Sequence, residues 1–252
     1  MRIVVIGGTG LIGSKVVAGL TEHGHDAIAA APSTGVNTVT GEGLAEVLTG
    51  ADVVVDVSNS PSFEEDPATE FFRAATTNLL DAEAKAGVGH HVALSVVGTE
   101  RLAQESGYFR AKLLQESLIS AGPVPYSIVH ATQFFEFLKT IADSATVGNE
   151  VRLPEKLIQP MAAADVAEAV AIAAVNPPAN GIVDVAGPEQ FTLPELIRTA
   201  LTARGDTRQV IADPQATYWG VDIEQRTLVP GDGATLFDTR LADWILETAA
   251  KS

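Results

Sequence analysis

The amino-acid sequence predicts an α/β protein with a doubly wound parallel sheet and a small C-terminal lobe. Short apolar runs rich in β-branched residues alternate along the chain with longer stretches of helical spacing, which is the pattern of strands joined by helices. The short runs are continuously apolar rather than alternating, as expected for strands that are covered on both faces. A glycine-rich loop follows the first run directly.

The predicted elements follow one another in chain order. The strand runs are, in order, RIVVI, DAIAAA, ADVVVDV, HHVALSVV, YSIVHA and GIVDVAG. Helical spacing is found between most of them, in LIGSKVVAGLTEHG, ATEFFRAATTNLLDAEAKAG and GYFRAKLLQESLISAG. Helical crossovers between parallel strands of one sheet should be right-handed.

The pattern loosens after about residue 135. A helix is predicted at roughly 164–175, the segment NPPANG is a clear break, and a further helix begins at FTLPELIRTAL. In that helix Thr192 and Glu195 have capping-box spacing and Pro194 falls in the first turn, where proline is tolerated. We therefore expect one domain over 1–252, whose C-terminal part, roughly 136–252, adds a small substrate-covering lobe.

Composition and charge exclude several classes of function. The chain of 252 residues is 46% hydrophobic and 19% charged, which is typical of a globular protein rather than a disordered one. It has no cysteine, so disulfides, thiolate metal sites and cysteine nucleophiles are excluded. The net charge of −16, spread along the chain, argues against binding to nucleic acid.

Targeting signals and metal-site patterns are also missing from the sequence. The N-terminal stretch MRIVVIGGTG lacks the features of a signal peptide, and no apolar run approaches the ~18 residues that span a bilayer. His23 and His25 flank Gly24 beside two carboxylates, but a solvated helix end explains this loop. We therefore expect a cytoplasmic protein with a small-molecule substrate, no membrane or nucleic-acid partner and no metal.

The glycine loop predicts a Rossmann-type dinucleotide site. In GGTGLIG, Gly7 allows a tight strand-to-helix turn, Gly10 lets a pyrophosphate approach the backbone, and Gly13 lets the helix pack closely. The N–H groups at the helix start then bind the phosphate charge. The predicted cofactor contacts in this loop are Gly7, Thr9, Gly10, Leu11, Ile12 and Gly13.

A missing carboxylate favours NADP(H) over NAD(H) as the dinucleotide. An NAD site carries Asp or Glu about 20 residues after the glycine loop, yet this chain reads AAAPSTGVN there. Ser33 and Thr34 offer hydroxyls to a 2′-phosphate, although no arginine accompanies them. Asp26 comes too early for this role, because it lies before the strand segment AIAA. Further along the chain, Ser58 and Asn59 end another strand, either below the cofactor riboses or simply in a turn before Pro61.

Tyr108 and Lys112 form a candidate acid/base pair. Residues four apart on a helix share a face, so both side chains can point into one pocket. A nearby ammonium lowers the pKa of a tyrosine, which would make Tyr108 a general acid at neutral pH. Ser95 ends a predicted strand 13 residues before Tyr108, at the edge of the sheet where ligands bind. An ordinary tyrosine and lysine on a helix surface are the alternative.

Taken together, Gly7-x-x-Gly10-x-x-Gly13, Ser95 and Tyr108-x-x-x-Lys112 resemble the short-chain dehydrogenase/reductase superfamily. The segments GGTGLIG, SVVGTE, GYFRAKLLQESL and HATQFFEF are most similar to its NmrA-like, NAD(P)H-binding branch. The resemblance implies that the tyrosine exchanges a proton with the substrate oxygen and the serine positions that oxygen. The lysine would bind the cofactor ribose and tune the tyrosine.

The segment HATQFFEF follows a strand and supplies the remaining candidates. Thr132 would contact the cofactor near the nicotinamide, while Gln133 and Phe134 would line an apolar substrate pocket, with a place in the core as the alternative. The favoured function is an NAD(P)H-dependent reductase that transfers a hydride to a small apolar carbonyl or quinone. A non-catalytic dinucleotide sensor and a nucleotide-sugar epimerase stay open, although the short C-terminal part argues against the epimerase.

Overall fold

The computed structural model of the chain describes residues 1–249, which divide into two compact units. The first unit comprises Met1–Ser95, Gly107–His130 and Val166–Val183. The second comprises Val96–Ser106, Ala131–Asp165 and the chain from Asp184 onward. The predicted single domain with a lobe over roughly 136–252 stays a prediction.

Short strands and helices alternate along the described chain. The strands are β1 (Arg2–Ile6), β2 (Asp26–Ala30), β3 (Val53–Asp56), β4 (His90–Val96), β5 (Tyr126–Ala131), β6 (Thr146–Val147), β7 (Glu150–Leu153), β8 (Leu157–Ile158), β9 (Gly181–Ala186), β10 (Phe191–Thr192), β11 (Gln209–Ala212) and β12 (Thr235–Leu236). The helices are α1 (Gly13–Glu22), α2 (Leu44–Val47), α3 (Glu65–Ala86), α4 (Thr99–Leu102), α5 (Gly107–Ala121), α6 (Leu138–Ser144), α7 (Ala163–Val175), α8 (Leu193–Ala203) and α9 (Leu241–Ala249).

A seven-stranded parallel sheet confirms the predicted fold class. Its strand order is β12-β9-β5-β4-β3-β1-β2. The chain leaves β1 toward β2 and then returns to the other side of β1 as β3, so the order reverses between β1 and β3. Ligands of open α/β sheets bind at the carboxyl ends of the strands beside such a reversal. Ile6 pairs with Asp56 there, which places the loops after β1 and β3 next to each other.

Burial explains why the apolar runs become strands. Val4 and Val54 are fully buried and pack in one cluster with Leu79 of α3. Each such side chain contributes about 1.5–3 kcal/mol when it is removed from water. In the second unit, Thr192 caps α8 by accepting a hydrogen bond from the Glu195 N–H at 3.4 Å, as its position in the sequence predicts.

The helices of residues 1–249 include none that is long and apolar enough to cross a membrane. The longest, α3, has 22 residues and carries acidic residues in its first turn and Lys85 in its last. This charge arrangement complements the helix dipole.

His90 should make the protein sensitive to acid. Its Nε2 lies 2.9 Å from the Ser127 hydroxyl, and burial, with a smaller contribution from His91, lowers the pKa of His90 from 6.5 to about 4. His90 therefore binds a proton near pH 6.5 in the unfolded chain but only near pH 4 in the folded chain. The stability that His90 contributes is complete above pH 6.5 and is lost as the pH falls toward 4.

We expect His90→Gln to reduce the loss of stability between pH 6.5 and pH 4, because the amide keeps a polar group near Ser127 and does not titrate. The measurement is the midpoint of urea unfolding from pH 7 to pH 4, with substitution of the exposed His23 by glutamine as the matched control. Equal slopes for wild type and His90→Gln over this range would contradict the prediction.

Candidate active site

The backbone of the glycine loop after β1 packs so closely that some of its positions have no room for a Cβ atom. Gly7 has a φ of +77°, and its N–H donates to the Ala30 carbonyl at 2.9 Å. A Cβ on Gly13 would lie 2.2 Å from the Gly7 carbonyl oxygen, so the helix could not start this close to the loop with any other residue. Gly8, which the sequence did not single out, is also tight, because a Cβ there would lie 2.7 Å from the Val5 carbonyl oxygen.

The start of α1 is suited to an anion. The helix begins at Gly13 with no side-chain hydrogen bond at its cap residue Ile12, and the first N–H groups of a helix have no partner within the helix. Thr9, Gly10 and Leu11 are exposed beside it. The N–H groups of Ser14 and Lys15 donate to the Gly10 and Ile12 carbonyls at 3.0 Å. The positive end of the helix dipole and the close glycine backbone fit the pyrophosphate of a dinucleotide.

The turn after β2 offers one free position for the adenosine end of such a cofactor. The hydroxyl of Thr34 accepts a hydrogen bond from the Ala31 N–H at 2.9 Å and donates one to the Ala31 carbonyl at 3.0 Å. It is therefore already engaged in hydrogen bonds within the turn. Ser33 is exposed beside it. Asp26 begins β2 at the opposite end of the strand and pairs with Arg2 at 3.0 Å.

Asp56 organises the loop after β3. One of its carboxylate oxygens accepts from the Ser58 N–H at 2.9 Å and from the Ser58 hydroxyl at 2.6 Å. The turn is thus held by a residue that sequence reasoning missed, although a carboxylate ending a buried strand is a detectable signal. Asn59 follows, and its Oδ1 accepts a hydrogen bond from the Tyr108 hydroxyl at 2.8 Å.

Tyr108 lies within an aromatic cluster. Its ring centroid is 5.1 Å from that of Phe63, 6.2 Å from that of Phe72 and 5.3 Å from that of Phe109. Burial raises the pKa of Tyr108 to about 12, and the hydrogen bond to Asn59 only partly offsets this effect. The expected lowering of the Tyr108 pKa is therefore wrong, and the phenol stays protonated at neutral pH.

The Lys112 ammonium, which was expected to lower the pKa of Tyr108, is held by other groups. Its Nζ donates to the Leu94 carbonyl at 3.0 Å and to the Gln115 Oε1 at 2.5 Å, and it lies 4.8 Å from the centroid of the Phe72 ring. Burial lowers the pKa of Lys112 to about 8, against the opposing carboxylates of Asp56 and Glu116. Spacing along the helix predicted a shared face correctly, but it did not reveal these competing acceptors.

A chain of hydrogen bonds connects α5 to the loop after β3. The Gln115 amide accepts from Lys112 and donates to the Asp56 carboxylate at 3.1 Å. Asp56 in turn holds Ser58. The structure therefore brings together predicted site residues from two distant stretches of the sequence, with Gln115 and Asp56 as the missed connections between them.

Ser95 lies near the end of β4, and its hydroxyl donates to Glu116 of α5. His130 Nε2 lies 3.0 Å from the same carboxylate oxygen. Burial opposes ionisation of Glu116, but His130, Ser95 and Lys112 outweigh it and hold the pKa of the carboxyl below its usual range. Sequence reasoning did not identify Glu116, although its position four residues after Lys112 on the same helix was visible.

Thr132, Gln133 and Phe134 follow β5 in the second unit. The Thr132 hydroxyl and the Gln133 side-chain oxygen are buried, and within residues 1–249 neither has a hydrogen-bond partner. Phe134 is half-buried and stacks on Phe137 with ring centroids 5.5 Å apart. Buried polar atoms without partners are uncommon in folded proteins, and the roles of Thr132 as a cofactor contact and of Gln133 as a substrate contact stay predictions.

A family model matches the N-terminal part of the chain. Residues 3–122 match the model of the NAD dependent epimerase/dehydratase family. The match spans β1 to the end of α5 and so includes the glycine loop, Ser95, Tyr108 and Lys112. A search of curated proteins found no match.

Solved structures share the fold at low sequence identity. MoeE5 in complex with UDP-glucose and NAD has a TM-score of 0.74 and 19% identity, with 100% of this chain and 99% of that chain covered. A dTDP-4-dehydrorhamnose reductase from Clostridium acetobutylicum has a TM-score of 0.70 and 16% identity, with 100% and 99% covered. A short-chain dehydrogenase/reductase superfamily protein from Agrobacterium tumefaciens with bound NAD has a TM-score of 0.70 and 19% identity, with 99% and 96% covered.

Proposed function

We propose that this protein is an NAD(P)-dependent oxidoreductase of the short-chain dehydrogenase/reductase superfamily. Its reaction is hydride transfer to a small apolar carbonyl or quinone, with Tyr108 as the proton donor. The observation that carries the proposal is the placement of the Tyr108 hydroxyl. It is bonded to Asn59 in the loop after β3, and β3 pairs with the strand that leads into the glycine loop.

The state of Tyr108 suits a proton donor. A general acid must carry its proton before the reaction, and a phenol with a pKa of about 12 does so throughout the neutral range. Asn59 orients the hydroxyl, while Phe63, Phe72 and Phe109 surround the ring with apolar surface. This surrounding favours an apolar substrate over a strongly anionic one.

The cofactor proposal rests on the close packing of the glycine loop and on the positive dipole end of α1 beside it. When bound there, the dinucleotide supplies the hydride. We propose NADP(H) as the preferred form, because no carboxylate ends β2 to bind a free ribose diol and Ser33 stands exposed at that position. Lys112 remains the predicted ribose contact, and Thr132 and Gln133 remain predicted contacts of cofactor and substrate. Membership of the NmrA-like branch is likewise part of the proposal.

A nucleotide-sugar epimerase or dehydratase is the second candidate. The observations that favour it are the matching family model and the similarity to MoeE5, which was solved with UDP-glucose and also with UDP-glucuronic acid. The similarity extends over 99% of the MoeE5 chain. The argument from a short C-terminal part therefore loses its force.

Loss of the reduced-nicotinamide absorbance tests the first proposal. We expect the purified protein to oxidise NADPH faster than NADH with at least one acceptor from a panel of quinones, aldehydes and ketones. Conversion of UDP-glucose, followed by chromatography with NAD added, tests the second candidate in parallel. Tight NADPH binding with neither activity would identify a dinucleotide sensor and would contradict both proposals.

A further inference from the structure

The Ser95 hydroxyl has one hydrogen to donate, and in the structure it donates this hydrogen to Glu116. Ser95 lies in β4, is 3% exposed, and donates its hydroxyl hydrogen to Glu116 of α5. A hydroxyl group offers one donor and two acceptor positions. While the bond to Glu116 persists, Ser95 has only its lone pairs left for a ligand.

The surroundings of Glu116 keep its carboxylate able to accept the hydrogen bond from Ser95. Glu116 is 6% exposed, and His130 of β5 lies 3.0 Å from the same oxygen that Ser95 contacts. The Lys112 ammonium adds a further favourable charge from the same helix. An ionised carboxylate accepts hydrogen bonds and donates none, so Ser95 cannot recover a donor role by reversing the bond.

This arrangement differs from the role that the resemblance implies for the serine. A serine that positions a carbonyl oxygen must donate its proton to that oxygen, because a carbonyl oxygen only accepts. An alcohol oxygen carries a proton and can donate to the lone pairs of Ser95. The two states of the substrate in the proposed reaction therefore differ in whether they can bond to Ser95.

We propose that Glu116 is a positioning residue that fixes Ser95 as a hydrogen-bond acceptor, so that the site binds the alcohol state of its substrate more tightly than the carbonyl state. The inference rests on the proposed function insofar as it requires Ser95 to face the substrate. The orientation of the Ser95 hydroxyl itself can be tested without turnover.

The first experiment measures the Glu116 carboxyl directly. The protein is labelled with ¹³C at the glutamate carboxyl carbons, and the Glu116 signal is assigned from its loss in Glu116→Gln. We expect Ser95→Ala to raise the pKa of Glu116, because the charged form loses a hydrogen-bond donor. Ser127→Ala, which removes a buried serine on β5 that contacts His90 instead, is the matched control. An unchanged Glu116 pKa in Ser95→Ala would overturn the inference.

The second experiment measures binding in complexes that cannot react. Benzyl alcohol is titrated into the NADPH complex and benzaldehyde into the NADP⁺ complex by calorimetry. We expect Ser95→Ala to weaken binding of the alcohol by about 10-fold, the effect of one lost hydrogen bond, and to leave binding of the aldehyde nearly unchanged. In the double variant Ser95→Ala, Glu116→Gln, the second substitution should add little, because Glu116 acts through Ser95.

The outcomes separate the inference from the proposed function. If Ser95→Ala weakens binding of the aldehyde rather than binding of the alcohol, Ser95 is a hydrogen-bond donor and the inference is overturned. If the wild-type protein binds neither probe, the proposed small apolar substrate is wrong, while the Glu116 titration still decides how the Ser95 hydroxyl is oriented. A merely structural Glu116 would change unfolding temperatures without changing the preference for alcohol over aldehyde.

Discussion

Tyr108→Phe should lower the turnover number for carbonyl reduction by ~10²-fold or more while the protein binds NADPH as before. The substitution removes one oxygen and keeps the ring, so the packing against Phe63, Phe72 and Phe109 persists. The substrate oxygen then loses its proton donor at the moment when negative charge develops on it. Steady-state assays with the best acceptor of the panel, together with a fluorescence titration of NADPH, measure both quantities.

Tyr126→Phe is the matched control for this prediction. Tyr126 begins β5, packs beside Ile119 and Ile128, and has no place in the proposed chemistry. If Tyr108→Phe keeps the turnover of the wild type, the protein transfers hydride without an acid, as suits a quinone. Tyr108 would then only order the loop through Asn59.

Gly13→Ala should cause the largest combined loss of stability and cofactor binding of any substitution in the glycine loop. Its Cβ would lie 2.2 Å from the Gly7 carbonyl oxygen and 2.7 Å from the Gly8 Cα, and both are backbone atoms that no side-chain rotation can move. We expect a loss of about 1–3 kcal/mol or more in the free energy of unfolding, as for other overpacked sites. Because relief requires α1 to move away from the loop, affinity for NADPH should fall by more than ~10-fold.

Two other glycines in the same region separate folding from binding. A Cβ on Gly10 would lie 3.3 Å from the Gly7 carbonyl oxygen, so Gly10→Ala should fold nearly normally and bind NADPH less tightly. Gly19 has no atom within 4 Å of its Cβ position, and Gly19→Ala should stabilise α1 by about 0.5–1 kcal/mol without affecting the cofactor. Urea unfolding and NADPH titration of the three variants measure this. Equal unfolding midpoints and equal NADPH affinities for Gly13→Ala and Gly19→Ala would contradict the close packing of α1 against the glycine loop.

Much of the first unit could be predicted from local sequence. Strands such as β1 and β3 are covered on both faces, so their residues must be apolar throughout, and that requirement is visible as a continuous run. The helices α5 and α7 were located to within a few residues, because helical spacing persists for several turns in each. The two-residue strands β6, β8, β10 and β12 were not predicted, since so short a strand leaves no periodicity to detect.

The candidate site was only partly predictable. The helical spacing of Tyr108 and Lys112 placed them on one helix, but it could not show which acceptors would hold the ammonium. Leu94 lies 18 residues away, and its backbone carbonyl has no sequence signature. The positions of Asp56 at a strand end and of Glu116 four residues after Lys112 were visible, but the sequence could not show which groups their carboxylates contact.

The sequence by itself determined the class of fold, the glycine loop and the identity of the candidate acid/base residues, because these depend on neighbours a few positions apart. The tertiary structure alone decided their chemical states. Burial raises the pKa of Tyr108, a carbonyl and an amide hold Lys112, and Glu116 accepts the hydrogen bond that Ser95 donates. Protonation and hydrogen-bond direction depend on groups that are distant along the chain and become neighbours only on folding, so no local pattern of residues encodes them.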